Sequence, residues 1–420
     1  MRRPGLIIIL LLLLAGAGCG LRPQIGEDSE SDQESIDSLV REQADITVDA
    51  YRYSDSVLRT LTLREKAGMP FMPALFANSD RETLRALIRY ADDMHVGGIV
   101  LLKGDLKSVA EIADTLRSLG GAGYFIGVDA ENGLRMRFAD APEFPWNRDL
   151  GYLSDDQLMY DFGSEIAREC RLVGINMVLG PVMDVVPGEG SHGLMRKRSL
   201  GSDPKRVAEL AIAYSRGVED GNVLSVAKHF PGHGSSNADS HKRLGEISLT
   251  RARIDSVDLY PFRRYIEEGL SGVMVGHLSA SALDPERRPA VVSPVIMGNI
   301  LRDELGFRGL VITDALTMEG AMGIHAYQAI MAGADIIVAP ADTRKEIEKL
   351  VDAVNRGEVP EGVLDDRCRR ILFYKYLISG SNVGKLQGIE NLNLLINGKA
   401  EQIRKSLSTG LRECLNLNQI

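Results

Sequence analysis

Residues 228–242 read KHFPGHGSSNADSHK and hold three of the chain's seven histidines. Amine, imidazole and carboxylate gathered in one glycine-punctuated stretch suit proton transfer and polar recognition better than burial. Lys228 and His229 close an apolar run. Pro231, Gly232 and Gly234 then impose a stiff turn that lets other groups come close. Asp239 and His241 follow two residues apart, which in an extended segment puts them on one side. The carboxylate can then bond one ring nitrogen, set the tautomer and favour imidazolium. Such a histidine can protonate a leaving group and later take a proton from water. A plain hydrophilic surface loop is the competing account, and His233 reads as part of the turn rather than as a catalyst.

Other stretches supply carboxylates and guanidinium groups. In VITDALTMEGA, Asp314 ends an apolar run, as a nucleophile, a metal ligand, or an N-cap for a helix starting near Thr317. In GVDAENGLRMRF, Asp129 ends another run and is followed by Gly133, Arg135 and Arg137. An aspartate accepts two hydrogen bonds from a vicinal diol and an arginine donates to hydroxyls or carbonyls, which suits a sugar. A surface Asp–Arg pair is the alternative. Arg198, in RKRSLGSDP, is a further binding candidate or a solvated charge. Two mechanisms use these parts. A retaining glycosidase would take Asp314 as nucleophile, with His241 and Asp239 for acid/base work. A metal-dependent hydrolase would use His229, His233, His277 and Asp314 around zinc, with Lys228 nearby. The chain has no HxH in PFMPALFANSD and no HExxH, which counts against the metal.

Eight apolar, Val/Ile-rich runs must position these residues: 70–76, 97–102, 124–129, 175–185, 223–230, 272–277, 309–315 and 334–340. They are short and do not alternate, as strands covered on both faces do not. Helix-like segments separate them. DLKSVAEIADTLRSLG carries one apolar stripe, SDPKRVAELAIAYSRGVEDG opens on Ser202 as N-cap with Pro204 inside, and SPVIMGNILRDELG starts at Ser293. Eight strand–helix units predict a single (β/α)8 TIM barrel, with a doubly wound open sheet as the alternative. Asp129, Asp184, Lys228, His229, His277 and Asp314 then all lie at the C-terminal ends of strands, where barrel active sites form.

The 420-residue chain has a net charge of −9 and no basic cluster, which argues against nucleic acid as a partner. Its 44% hydrophobic and 25% charged residues are ordinary for a soluble globular protein. Cys170 and Cys368 read as buried small apolar residues. Residues 1–19, MRRPGLIIILLLLLAGAGC, combine a basic start, a short apolar core and small residues ahead of Cys19. That predicts a signal peptide with a lipobox-like end, Cys19 as lipidation site, and an exported, periplasmic or cell-surface protein. Gly16 departs from the aliphatic residue usual there. Acidic residues 20–45 read as a flexible tether, 46–380 as the barrel and 381–420 as a tail holding an amphipathic helix, AEQIRKSLSTGLRECLNL. A monomer is expected.

KHFPGHGSSNADSHK resembles the signature of glycoside hydrolase family 3, in its β-N-acetylglucosaminidase branch. GVDAENGLRMRF, RSLGSDP, SPVIMGNILRDELGFRGLVITDALTMEGA and LTLREKAGMPFM are similar to other blocks of that family, so the likeness runs from about residue 60 to about 375. It implies Asp314 as nucleophile, His241 with Asp239 as acid/base, and Asp129, Arg137, Arg198, Lys228 and His229 as ligands of an N-acetyl sugar. It implies no metal or other cofactor, and as substrates terminal β-linked N-acetylglucosaminides, often of peptidoglycan fragments. The rivals are a β-glucosidase or phosphorylase of the same family and a non-catalytic sugar-binding lipoprotein.

Overall fold

A computed structural model describes residues 30–186, 195–236, 244–379 and 392–417. Its strands are β1 (Phe71–Met72), β2 (Ala74–Phe76), β3 (Gly98–Leu102), β4 (Phe125–Val128), β5 (Met177–Val178), β6 (Leu224–Phe230), β7 (Gly245–Glu246), β8 (Gly272–Val275), β9 (Leu278–Ser279), β10 (Leu310–Thr313) and β11 (Ile337–Val338). Seven form one parallel sheet in the order β10-β8-β6-β5-β4-β3-β2, and β1 pairs with β11, also in parallel. β1 and β2 are separated only by Pro73, and a bridge from Ile312 to Ile336 ties β10 to the approach of β11. The result is an α/β fold around a curled parallel sheet. Every residue of β4, β6, β8 and β10 is buried, which is why these strands read as unbroken apolar runs.

All eight expected runs contain strand. The 175–185 run shortens to β5, because Pro181 has no N–H to give to a ladder. Helices alternate with the strands, among them Arg81–Asp93, Leu106–Ser118, Asp156–Leu172, Pro204–Asp220 and Thr343–Asn355. Each of these five opens on an aspartate whose carboxylate accepts first-turn amides: Asp80, Asp105, Asp155, Asp203 and Asp342. Such a cap contributes about 1 kcal/mol. Asp203, not the expected Ser202, caps the fourth, with Pro204 just inside as expected. Ser293 accepts the Ile296 amide at 3.0 Å, as a helix start should.

The expected tether is shorter than the sequence suggested. A helix spans Glu30–Leu58, and its second half docks on the Glu361–Ser379 helix. Ala50, Ser54 and Leu58 are buried at four-residue spacing, and Arg369 pairs with Asp55 at 2.8 Å. The C-terminal helix, Leu392–Leu417, packs on Asp156–Leu172, burying Ile396, Ala400 and Leu407. Cys170 and Cys368 are both buried and unpaired with each other. No helix among the described residues is long and apolar enough to cross a membrane. The expected signal segment 1–19, with Cys19, lies outside the described residues.

Glu219 joins the outer layer to the sheet. Its Oε1 accepts from Ser225 Oγ at 2.6 Å and from the Ser271 amide at 2.9 Å, while Oε2 is buried without a partner. Burial raises its pKa to about 7, against the smaller opposing pull of those hydrogen bonds. The folded state therefore holds a proton that the unfolded chain releases near 4.5, so this contribution is full at acid pH and fades as pH rises towards 7. Glu219→Gln keeps the acceptor and removes the titration. It is expected to cut the loss of stability between pH 5 and 8 by roughly 3 kcal/mol, read as denaturant midpoints of the two proteins against pH.

Candidate active site

β6 delivers two adjacent polar side chains to the same place. Consecutive residues of a strand normally face opposite ways. Here Lys228 pairs with Met274 and Phe230 with Val275, so His229 is an extra, bulged residue. A bulge re-aims a side chain in this manner. The turn that follows has no room for a side chain at either of its glycines. A Cβ on Gly232, at φ 130°, would lie 2.6 Å from Asp258 Cβ, and one on Gly234 would lie 2.0 Å from the Val185 carbonyl oxygen.

From these two residues runs a continuous chain of paired groups. Arg137 is ion-paired with Asp129. Lys228 Nζ lies 2.7 Å from Asp129 Oδ1 and 2.7 Å from Glu131 Oε1. Arg198 grips Glu131 through both Nε (2.9 Å) and Nη2 (2.7 Å), and its Nη2 lies 3.1 Å from His229 Nε2. His229 Nδ1 stands 2.7 Å from Asp184 Oδ2. A guanidinium can only donate, so Nε2 is the acceptor and the His229 proton sits on Nδ1, towards Asp184. Asp184 also accepts the backbone amides of His229 and His233, the latter at 2.6 Å.

Burial pushes the pKa of Asp129 up, yet Lys228 and Arg137 hold it down at about 2. Burial likewise opposes ionisation of Glu131, and Lys228 and Arg198 drive it far below the usual range. Burial lowers and the two carboxylates raise the Lys228 pKa, with a net rise. These groups are therefore charged at neutral pH and already in mutual register, which holds donors and acceptors in place without rearrangement.

Asp314 follows β10. Its amide bonds the Val275 carbonyl at 2.9 Å, and its Oδ1 accepts the next amide, Ala315, at 2.8 Å. Burial raises its pKa, but His229, His277, the Ala315 amide and Lys228 lower it by more, so the carboxylate stays ionised below its ordinary range. His277 is buried, with Nε2 donating to the Ala315 carbonyl at 3.0 Å. Among the described residues Asp314 has no arginine or lysine pair, unlike Asp129 and Glu131. It caps no helix, since residues 315–318 are not helical and only a short turn, Glu319–Ala321, follows.

The structure thus brings together Asp129, Arg137, Arg198, Lys228, His229 and Asp314. Asp239 and His241 lie outside the described residues. Arg135 serves the backbone instead, donating to the carbonyls of Ala139 and Ala141. Glu131 was missed by sequence reasoning, although it sits two residues after Asp129 in the quoted block. Asp184 was visible only as a strand-end polar residue, and its role in orienting His229 is new. The residues named for zinc are near one another but not arranged as a metal site. Both His229 ring nitrogens are occupied, one by a guanidinium, and among the described residues no three His, Cys, Asp or Glu side chains are grouped for a metal.

Comparison with known proteins identifies the family. The family model described as "Glycosyl hydrolase family 3 N terminal domain" matches residues 62–373. A β-hexosaminidase of Nitrosomonas eutropha is 34% identical over 258 residues, covering 58% of this chain and 73% of its own. A β-hexosaminidase of Neisseria meningitidis is 32% identical over 282 residues, covering 63% and 75%. Among solved structures, a family 3 β-N-acetylglucosaminidase from a Paenibacillus species superposes with a TM-score of 0.74 at 29% identity, over 84% of this chain and 69% of that one. A β-N-acetylhexosaminidase from Beutenbergia cavernae gives 0.66 at 29% identity, over 75% and 98%. With strand-end carboxylates, cations and imidazoles placed as described, the chain belongs to glycosyl hydrolase family 3 and is a glycoside hydrolase.

Proposed function

We propose that this enzyme is a retaining, exo-acting β-N-acetylglucosaminidase that removes terminal β-linked N-acetylglucosamine from glycans or peptidoglycan fragments. The observation that carries the reading is Asp314, ionised at a strand end beside a network whose carboxylates Asp129 and Glu131 are engaged by cations. In the first step an Asp314 oxygen bonds to the anomeric carbon and the glycosidic bond breaks. The leaving oxygen takes a proton from His241, which Asp239 orients. In the second step water attacks the glycosyl ester, gives its proton to His241 and frees Asp314, so two inversions return the β configuration. Asp129, Arg137, Arg198, Lys228 and His229, with Glu131 and Asp184 behind them, hold the sugar. The names of the similar β-hexosaminidases and β-N-acetylglucosaminidases support the N-acetyl sugar.

The scaffold is read as one irregular (β/α)8 barrel, supported by the Ile312–Ile336 bridge and the β1–β11 pairing. Cys19 is proposed as a lipid anchor of an exported enzyme. Incorporation of labelled palmitate that survives Cys19→Ala would refute the anchor.

The test of function is hydrolysis of a chromogenic β-N-acetylglucosaminide beside the matching β-glucoside, with and without a strong chelator. Turnover of the first, indifferent to chelator, is expected. Sugar binding without turnover would mark a binding protein, loss on chelation a metal hydrolase, and preference for the glucoside a β-glucosidase. Products from peptidoglycan fragments against chitin oligosaccharides then identify the natural aglycone.

A further inference from the structure

A second cavity, of about 500 Å³, opens at the opposite end of the sheet. Its walls are residues just ahead of β4 and β5, Tyr124 and Asn176, and the C-terminal ends of three helices, with Arg117, Arg171, Lys375 and Tyr376. The residues described above stand at the other ends of the same strands.

Lys375 is the unusual member. It is 5% exposed, donates to the Gly123 carbonyl at 2.7 Å and lies 5.9 and 5.7 Å from the Tyr124 and Phe125 ring centres. Among the described residues no carboxylate pairs with it. A buried ammonium without a counter-charge is costly, and an apolar side chain would fill the space better. Burial, opposed weakly by Cys368, brings its pKa down to about 7. In the same cavity wall, Arg171 gives Nη1 to the Gly221 carbonyl at 3.2 Å, yet its Nε is buried without a partner. Arg117 and Arg171 each close a helix and so complement its C-terminal carbonyls. That accounts for their charge but not for the burial of Lys375.

We propose that this cavity is a second ligand site, for a small organic anion whose carboxylate or phosphate meets Lys375 and Arg171 and whose ring lies against Tyr124 and Tyr376. An anion there supplies the counter-charge the fold omits, and the volume and mixed lining are those of a small-molecule site. The inference does not rest on the glycosidase reading, because no catalytic group is shared.

Pyridoxal 5′-phosphate is a direct probe, with an aldehyde, a ring and a phosphate. Its aldehyde carbon would form a C=N bond to Lys375 Nζ with loss of water. Borohydride then adds hydride to that carbon and fixes a secondary amine. Peptide mapping of the full chain is expected to find Lys375 labelled about 10-fold over exposed Lys107 and Lys405, one decade of affinity. Excess inorganic phosphate or benzoate should suppress the label, and the more effective of the two identifies the preferred acid. An unlabelled Lys375, or a label indifferent to both anions, overturns the proposal. In parallel, phosphate should raise the unfolding temperature of the wild type by about 2 °C more than that of Lys375→Met, because bound ligand stabilises only a competent site. Equal shifts in the two would mean general salt effects alone and would also overturn it. If Lys375→Met does not fold, Arg171→Gln replaces it, with weaker protection expected.

Discussion

Asp314→Ala is expected to lower kcat on a chromogenic β-N-acetylglucosaminide by about 10⁴-fold or more, roughly 5.5 kcal/mol of barrier. The fold should hardly notice. Among the described residues the carboxylate accepts one hydrogen bond, from the Ala315 amide, whose loss amounts to about 1 kcal/mol. A nucleophile differs from a structural carboxylate in a further way. Azide, small and anionic, can enter the space left by the side chain and attack the same carbon from the same face. Added azide should therefore restore turnover in Asp314→Ala and yield the α-glycosyl azide. His241→Ala should behave otherwise, because acid assistance matters least for a good leaving group. Activated aryl substrates should be spared far more than unactivated ones. If the two variants lose the same factor on an activated substrate, the roles given to Asp314 and His241 are wrong.

Lys228→Met should be the most damaging change to the site's framework. Lys228 is 2% exposed and lies between Asp129 and Glu131. Removing one partner of a buried ion pair costs about 3 kcal/mol or more, because charge is left uncompensated in a low dielectric. Arg137 and Arg198 remain on the two carboxylates and limit the damage. The pH dependence has a definite sign. In the wild type Asp129 titrates at about 2 against an ordinary 3.8, so its contribution is complete above 3.8 and is lost as pH falls towards 2. Without Lys228 the buried carboxylates favour protonation instead. The deficit of Lys228→Met should then be larger at pH 8 than at pH 5, measured as denaturant midpoints relative to wild type. A deficit independent of pH would mean that Lys228 acts only by filling space.

The strands were legible because a parallel sheet buried on both faces leaves only apolar residues to write it with. The cluster of polar strand ends was legible for a related reason. A polar residue at the end of such a run, as at Asp129, Lys228 or Asp314, has few places to go except the rim. Pairings were less legible. Asp184 and His229 are 45 residues apart, and nothing in either segment announces the hydrogen bond between their side chains. Glu131 sits next to Asn132 and Gly133 with nothing in the segment to mark it, yet it is 5% exposed and holds both Lys228 and Arg198. The Glu30–Leu58 helix was misjudged at its start because acidic and serine-rich residues dominate the composition there. The docking stripe of Ala50, Ser54 and Leu58 was present at helical spacing all along. A lysine buried in the last turns of a helix, Lys375, gave no signal in sequence, since the missing carboxylate is a fact about neighbours and not about the segment.

The central claim is a covalent bond between the sugar and Asp314. An N-acetylglucosaminyl fluoride bearing a second fluorine at C5 forms a glycosyl ester quickly and hydrolyses slowly, so the intermediate should accumulate. Intact-protein mass spectrometry should show one added fluorosugar, and peptide mapping should place it on Asp314 in LVITDALTM. Turnover of the normal substrate with no trapped sugar, or a label on any other residue, would contradict the account.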